Sequence, residues 1–320
     1  MRDTILYGDC RETLKQFDEQ ARTCITSPPY YGLRDYGGEQ NQIGQEQTPD
    51  EFIEQLITVF KEVRNVLRDD GTCWVNLGDS YYNYRPGKGQ GLVKQSVSNT
   101  KQDLPDVCPR RGNRIEGLKE KDLIGIPWQF AFAMRADGWY LRQDIIWHKP
   151  NPMPESVRDR CTKSHEYIFL FSKNKKYYYD NEAIKEPAKD WGTRDRTKGK
   201  YHNEGTGLQP HSGLTKSYPT KNKRSVWSVT NKPYREAHFA TYPPDLIEPC
   251  ILAGSEKGDI ILDPFMGAGT TAAVAKSLGR NYIGCELNEK YSTLIEKRIH
   301  DYVPQKEVAQ EPTINILDII

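Results

Sequence analysis

Apolar positions along the chain alternate between short runs, which are typical of strands, and helical spacing. The short runs predict strands at 4–8, 23–27, 72–78, 141–149, 165–173, 259–265 and 281–286. Helical spacing follows Thr48 and recurs at 127–136, 270–278 and 289–302. This alternation predicts an α/β sheet that is covered by helices on both faces.

The sequence carries signals for both the start and the end of the helix that follows Thr48. Residues 48–51, Thr-Pro-Asp-Glu, form a predicted capping box with proline at the first helical position. The apolar face that follows carries Phe52, Ile53, Leu56, Ile57, Phe60, Val63 and Leu67. Gly71 is predicted to close this helix, and Gly138 the helix at 127–136.

Two stretches interrupt the alternation. Residues 83–121 are rich in Gly, Pro, Asn and Arg, and residues 185–235 carry 12 Lys or Arg against 4 Asp or Glu. Long irregular stretches inside a compact domain are usually functional or disordered. They therefore become candidates for a binding surface.

Composition narrows the class of protein. The 320 residues include 45 basic and 44 acidic side chains, so only local charge clusters can indicate a polyanionic partner. The seven cysteines are isolated, with no C-x-x-C pair, which indicates a reducing compartment. The start of the chain does not resemble a signal peptide, and no apolar run reaches the ~18 residues of a membrane span. We expect a cytoplasmic protein.

A glycine-containing turn follows the strand at 259–265. In "ILDPFMGAGTT" (261–271), Gly267 and Gly269 allow the backbone to approach a ligand closely. Glu286 ends the next predicted strand, 23 residues after Asp263, where a carboxylate can accept hydrogen bonds from ribose hydroxyls. Together these features predict a site for a nucleoside cofactor.

The chemistry of the turn narrows the cofactor. The sequence has neither G-x-G-x-x-G nor a P-loop, and the turn contains an acidic residue, Asp263, but no basic one. A diphosphate would be poorly bound there. A cofactor with a cationic end and no phosphate fits better, and S-adenosyl-L-methionine is such a molecule.

A second motif, "TSPPY" (26–30), precedes "DPFMGAGTT" (263–271) by more than 230 residues. In this order the two motifs resemble those of β-class amino-group DNA methyltransferases, which methylate N4 of cytosine or N6 of adenine. Similar segments are "GDCRETL" (8–14), "DIIWHKPNPMPES" (144–156), "HEYIFLFSKNKKYYYD" (165–180), "HFATYPPDLIEPCI" (238–251) and "RNYIGCELNEKY" (280–291).

The resemblance implies a domain organisation. We expect a Rossmann-like, mixed but mostly parallel sheet of the S-adenosylmethionine-dependent methyltransferase type. Residues 1–182 and 236–302 would form the catalytic domain with permuted motif order. Residues 83–121 would be an irregular insertion facing DNA, residues 183–235 the target-recognition region, and residues 303–320 a C-terminal tail.

The Ser-Pro-Pro-Tyr motif suits an unreactive amino group. The exocyclic nitrogen of a base is a poor nucleophile because its lone pair is delocalised into the ring. The Pro28 carbonyl and the Ser27 hydroxyl are the candidate acceptors for its two N–H groups, and Pro29 helps to fix the carbonyl direction. Tyr30 offers a face for stacking a flipped base, worth ~1–3 kcal/mol.

Cofactor contacts follow from the resemblance. Asp9 corresponds to the acidic residue near the adenine end, and Glu286, with help from Asn288, would take the ribose hydroxyls. The residues around the methionine portion would be Asp263, Pro264, Phe265, Gly267, Gly269, Thr270 and Thr271. The two threonine hydroxyls would either cap the following helix or reach the cofactor carboxylate. We expect no metal.

The expected partner is double-stranded DNA with one base flipped out. The excess of positive charge at 185–235, interleaved with aromatic residues, suits phosphate contacts. The candidate DNA-binding residues are Arg85, Arg110, Arg111, Arg194, Arg196, Lys223 and Arg224. A cognate restriction endonuclease is a further possible partner, and a homodimer is a possible oligomeric state.

The target base and three other classes also remain open. Ser27 resembles N4-cytosine members more than N6-adenine members, so N4 of cytosine is favoured and N6 of adenine is the alternative. More distant alternatives are an RNA or protein-glutamine methyltransferase and a non-catalytic DNA-binding module. Cytosine-C5 chemistry needs a Pro-Cys-Gln loop, and Cys250 instead falls in a predicted helix, where we expect it to pack in the core.

Overall fold

The computed structural model describes residues 1–32, 42–82, 115–188, 219–231 and 241–304. Its strands are β1 Thr4–Tyr7, β2 Ala21–Thr26, β3 Leu67–Leu77, β4 Tyr140–His148, β5 His165–Ser172, β6 Glu186–Pro187, β7 Thr220–Lys221, β8 Val226–Ser228, β9 Ile260–Asp263 and β10 Asn281–Glu286. Its helices are α1 Cys10–Thr13, α2 Pro49–Val66, α3 Ile126–Ala136, α4 Pro244–Gly254, α5 Thr270–Ser277 and α6 Ser292–Asp301.

Eight strands form one sheet in the order β1-β10-β9-β2-β3-β5-β4-β8. Neighbouring strands are parallel except where β5 pairs with β3 and with β4. The sheet is thus mixed and mostly parallel, which confirms the predicted fold class. Because β1, β10, β9, β2 and β3 point the same way, their carboxyl ends meet along one edge.

The sheet carries a hydrophobic core on each face. Side chains alternate along a strand, so Cys24 of β2 joins the core beneath α1, α2 and α3, whereas Ile25 joins the core beneath α4, α5 and α6. Phe60 of α2 and Ile251 of α4 are fully buried in these two cores. Burial on both faces holds the central strands in place and thereby positions the loops at their ends.

The capping box before α2 is confirmed, with both reciprocal hydrogen bonds present between Thr48 and Glu51. The prediction that Gly71 ends α2 is wrong, because the backbone is already extended at Leu67, where β3 begins. Gly71 lies inside β3, and a Cβ there would approach the carbonyl oxygens of Arg68 and Arg22 to 2.8 and 3.1 Å. Glycine is required at this position by close backbone approach.

Three short strands lie within the segment that the sequence marks as irregular. β6 and β7 form a separate two-stranded ribbon, and β8 pairs with β4 as the edge strand of the main sheet. Part of the predicted target-recognition region thus also completes the main sheet. Residues 83–114, 189–218, 232–240 and 305–320 lie outside the described residues, and the division into regions stays a prediction. In the described ranges, no helix is both long and apolar enough to cross a bilayer.

Candidate functional site

The carboxyl edge of the sheet brings the predicted motifs together. β9 lies between β10 and β2, so the turn after Asp263 is flanked by Glu286 on one side and by Ser27 on the other. β1 pairs with β10, and the Gly8 N–H donates to the Glu286 carbonyl at 2.9 Å, which places Asp9 beside the same edge. The segments that were predicted to be catalytic and cofactor-binding therefore lie next to each other at this edge.

The Asp263 carboxylate joins the turn to the strand that bears the catalytic motif. It is 1% exposed, and its Oδ1 accepts from the Thr26 hydroxyl at 2.6 Å and from the Phe265 N–H at 3.0 Å. Its Oδ2 accepts from the hydroxyls of Thr271 at 2.5 Å and Tyr242 at 3.1 Å. Burial raises the pKa of Asp263, and these hydrogen bonds oppose the shift. Asp263 thus organises the turn from inside.

The turn is shaped by two glycines with left-handed backbone. Gly267 has φ +54° and Gly269 has φ +79°, and a Cβ on Gly269 would lie 2.9 Å from Ile295 Cγ2 of α6. Gly269 begins α5 without a side-chain cap. Of the two roles expected for Thr270 and Thr271, helix capping is therefore wrong, because Gly269 occupies the N-cap position and the Thr271 hydroxyl bonds to Asp263.

Glu286 lies at the end of β10 with its carboxylate facing the turn. Its Oε2 accepts from the Gly267 N–H at 2.7 Å, and its Oε1 accepts from the Asn288 N–H at 2.9 Å. The side chain is largely buried, and this burial raises its pKa to about 7. The Asn288 side chain caps the 3-10 turn Glu289–Tyr291 by accepting from Lys290 N–H.

Asp9 caps α1. Its Oδ1 accepts from the Arg11 N–H at 2.9 Å, and the carboxylate also pairs with the Arg11 guanidinium. Burial raises the pKa of Asp9, but the hydrogen bonds and charge of Arg11 outweigh this effect, so the net pKa lies below its ordinary value. The carboxylate thus stays ionised at the rim of the site.

The Ser-Pro-Pro-Tyr segment leaves β2 as irregular chain and is braced by a neighbouring loop. Pro28 is buried, while Ser27, Pro29 and Tyr30 are partly exposed. Gly44 has φ +104°, and a Cβ there would lie 3.2 Å from the Tyr30 carbonyl oxygen and 3.4 Å from Pro29 Cβ. The chain around Gly44 therefore lies directly against the motif and supports it.

Three polar residues near Tyr30 were not predicted as site residues. The Tyr30 hydroxyl donates to Glu166 Oε2 at 2.6 Å and lies 3.3 Å from Asn76 Oδ1. Lys149 forms an ion pair with the same glutamate. The sequence contained one sign of these site residues: polar residues lie inside or beside predicted apolar strands, as in "WVNLG" and "HEYIFLF".

These residues suit S-adenosylmethionine. Within 263–271 the turn offers backbone N–H groups and hydroxyls, together with an uncapped helix start and no cationic side chain. Glu286, when ionised, is placed to accept hydroxyl hydrogens, and half-buried Phe265 offers an apolar surface. A cation without phosphate matches this donor and acceptor set better than a dinucleotide does.

The described residues with predicted DNA contacts lie at the small ribbon. Arg224 pairs with Glu186 at 3.1 Å, and Lys223 Nζ lies 5.1 Å from the ring centroid of buried Trp227. Glu186 thus offsets part of the positive charge of this surface. The other candidates, Arg85, Arg110, Arg111, Arg194 and Arg196, lie outside the described residues.

Cys250 is buried in α4, as predicted, and burial raises the pKa of its thiol. A nucleophilic role would need an accessible thiolate with a lowered pKa. The geometry therefore supports core packing. Within the ranges that the structure describes, no three His, Cys, Asp or Glu side chains form a group that could hold a metal ion.

Comparison with known sequences gives close matches. A family model described as DNA methylase matches residues 21–297. The Type II methyltransferase M.SmaI of Serratia marcescens is 46% identical over 301 residues, covering 92% of this chain and 90% of that protein. M.Cfr9I of Citrobacter freundii is 44% identical over 297 residues, covering 92% and 87%.

Solved structures share the fold. The PvuII DNA methyltransferase (cytosine-N4-specific) superposes with a TM-score of 0.61 at 18% identity, covering 95% of this chain and 89% of that one. The M1.HpyAVI–SAM complex has a TM-score of 0.52 at 18% identity, with coverage of 92% and 98%.

Proposed function

The chain belongs to the N6/N4 DNA methylase family, and from this premise we propose that it methylates N4 of a flipped cytosine in double-stranded DNA. S-adenosyl-L-methionine is the proposed methyl donor. One observation carries the proposal: the strand that leads into Ser-Pro-Pro-Tyr is paired with the strand that leads into the glycine turn. The two strands are also bonded to each other through Thr26 and Asp263.

Different residues at the carboxyl edge would bind different parts of the cofactor. Bound S-adenosylmethionine supplies an electrophilic methyl group. Glu286, in its ionised form, would accept hydrogen bonds from the ribose hydroxyls, and Asp9 would face the adenine end. The turn at Gly267 and Gly269 would pass close to the methionine portion, and the remaining members of the proposed set are Asp263, Pro264, Phe265, Thr270, Thr271 and Asn288.

The catalytic segment would prepare the amino group. The Pro28 carbonyl and the Ser27 hydroxyl would accept its two N–H groups and hold the nitrogen pyramidal, with its lone pair directed at the methyl carbon. Tyr30 would stack on the base and prevent it from rotating. Positioning and electrostatics would then supply the rate enhancement, and the proton released from nitrogen would leave to solvent.

The choice of cytosine rests on Ser27. N6-adenine members of the family usually carry Asp or Asn at this position, whereas N4-cytosine members usually carry Ser. The PvuII enzyme, which shares the fold, is named as cytosine-N4-specific. Relatives named Type II methyltransferases further suggest a role in restriction-modification beside a cognate endonuclease.

Nucleoside analysis tests the proposal. Duplex DNA is incubated with the purified protein and with S-adenosylmethionine carrying a deuterated methyl group, then digested and examined by mass spectrometry. We expect labelled N4-methylcytosine. Labelled N6-methyladenine would retain the family assignment and overturn the base assignment. Transfer only to RNA or to protein would overturn the DNA substrate.

A further inference from the structure

Four polar side chains meet beyond the catalytic segment, where β3 and β4 end and β5 begins. Asn76 comes from the end of β3, Lys149 follows β4, Glu166 lies near the start of β5, and Tyr30 follows β2. β5 is antiparallel to its neighbours, so its first residues lie at the same edge as the carboxyl ends of the others. The topology alone therefore brings Glu166 to the proposed base pocket.

Glu166 is the centre of this group. Its Oε2 accepts from the Tyr30 hydroxyl at 2.6 Å and from the Asn76 amide at 3.2 Å, while its Oε1 contacts the Lys149 ammonium. The Glu166 and Lys149 side chains are 14% and 17% exposed. Charge-assisted hydrogen bonds in such a sheltered position hold a carboxylate in one orientation.

The partners of Glu166 are themselves fixed. The Asn76 amide also donates to the Tyr167 carbonyl at 3.1 Å, and Asn76 is 4% exposed. The Lys149 ammonium lies 4.2 Å from the ring centroid of Trp147, a buried residue of β4. Glu166 therefore presents a rigid acceptor to a tyrosine that stands on irregular chain.

Gly78 provides the space in which the tyrosine ring lies. A Cβ on Gly78 would come within 2.8 Å of Tyr30 Cε2 and within 3.3 Å of the Glu166 carboxyl group. The ring is thus confined by the end of β3 on one side and anchored through its hydroxyl on the other. An ion pair that served only to stabilise the sheet would not need to engage the tyrosine of the catalytic segment.

We propose that Glu166 is a positioning residue for the target base: it holds the Tyr30 ring, through the phenolic hydroxyl, in the orientation that stacks on the flipped base. Asn76 and Lys149 fix Glu166 in turn. This inference rests on the proposed function, because it assigns Tyr30 the stacking role. In this role Glu166 would act through Tyr30 and not by direct contact with the methyl donor or the reacting nitrogen.

A double-mutant cycle tests the inference. The rate of single-turnover methyl transfer is measured for the wild type, Tyr30→Phe, Glu166→Gln and the double variant, with cofactor affinity measured by calorimetry. We expect each single variant to lose about tenfold in rate and the double variant to lose no more than either one, because both remove one interaction. Cofactor affinity should stay within about twofold in all of them.

Two further variants separate positioning from folding. Gly78→Ala adds a methyl group that displaces the ring and presses on the Glu166 carboxyl group while every polar side chain is retained, and we expect the same loss of rate. Glu54→Gln removes a carboxylate from an exposed position of α2 and should leave the rate unchanged. If Glu166→Gln fails to fold, Gly78→Ala and Tyr30→Phe still test the role of the ring position.

The possible outcomes of these measurements distinguish failure of the positioning role from failure of the proposed function. An active wild type with losses that multiply in the double variant, or a Gly78→Ala variant with wild-type rate, would overturn the positioning role alone. A wild type that transfers no methyl group to any duplex would overturn the proposed function, and the positioning role with it.

Discussion

The hydroxyl of Thr26 donates a 2.6 Å hydrogen bond to the carboxylate of Asp263, although the two residues are 237 positions apart in the chain. Thr26 is the last residue of β2 and Asp263 the last residue of β9. The bond therefore connects the strand that precedes the Ser-Pro-Pro-Tyr segment with the strand that precedes the glycine turn. The proposed methyl transfer between groups held by these two segments would require that they stay in register.

Asp263→Asn should weaken both the fold and the cofactor site. An amide group retains one acceptor oxygen and places an NH₂ against two of the donors, so two buried donors lose their acceptor. We expect the free energy of unfolding to fall by about 2–4 kcal/mol, together with a clear loss of S-adenosylmethionine affinity in calorimetry. Thr26→Val, which removes a single donor, is the matched comparison and should cost about 1 kcal/mol. Unchanged cofactor affinity in Asp263→Asn would argue against the assigned turn.

Tyr30→Ala should separate binding from catalysis. The ring lies on the side of Ser27 and Glu166, and its removal leaves the glycine turn and Glu286 intact. We expect cofactor affinity within about threefold of the wild type and a loss of methyl transfer of at least about a hundredfold, because the base would no longer be stacked. A parallel fall in both quantities would instead show that Tyr30 supports the structure of the whole site.

The raised pKa of Glu286, about 7, makes cofactor binding depend on pH. In the proposed site the ionised carboxylate would accept both ribose hydroxyls, whereas the protonated form would have lost part of that capacity. Because ionisation falls about tenfold between pH 8 and pH 6 for such a group, the dissociation constant of S-adenosylmethionine should rise by up to about tenfold over that range. Glu286→Gln should bind weakly at every pH, and a wild-type affinity that is flat from pH 6 to 8 would contradict the assignment.

Stability of the ligand-free protein should change in the opposite direction. The Glu286 carboxyl group has a higher pKa in the folded protein than its ordinary value of 4.5. Its contribution is therefore fully present below the ordinary value and is lost as pH rises through about 7. Denaturant unfolding of the wild type and of Glu286→Gln, each at pH 6 and 8, isolates this contribution from the other titrating groups.

Much of the framework could be predicted because its signals are local. The capping box at Thr48 and the apolar face behind it need only a few turns of sequence, and both are present. Ser27 and Gly267 each come at or just after the end of a predicted strand, and they lie at one edge because the parallel strands share a direction.

The unpredicted features depend on pairing between distant residues. β8 has three residues, too few for a periodic signal, and exists because Val226–Ser228 pairs with β4. The contact between Tyr30 and Glu166 spans 136 positions and requires knowledge of the strand order. Gly71 was mistaken for a helix end because close backbone approach and helix termination both favour glycine.

Arg22 offers a test of stability at the opposite edge of the sheet. It is 7% exposed, pairs with Asp70, Asp259 and Glu256, and its guanidinium carbon lies 4.7 Å from the ring centroid of Tyr178. Arg22→Met would leave Glu256 without this partner, and Asp70 and Asp259 would keep only Arg68 as a cationic neighbour. Because two of the three carboxylates are partly exposed, we expect a loss of about 3 kcal/mol in urea unfolding. Cofactor affinity of the folded variant should be unchanged, and a selective loss of affinity would connect this edge to the site.

Arg224 provides a quantitative test of the DNA surface. It is 74% exposed beside Glu186, so a phosphate group can reach its guanidinium. If it contacts one phosphate, Arg224→Ala should weaken binding to all duplex sequences alike and reduce the slope of log affinity against log salt by about 1.

Lys257→Ala is the matched control, because Lys257 is exposed just before β9, at the edge away from the site. Fluorescence anisotropy between 50 and 200 mM salt, values typical for such titrations, measures both slopes. Equal slopes for wild type and Arg224→Ala would remove Arg224 from the interface.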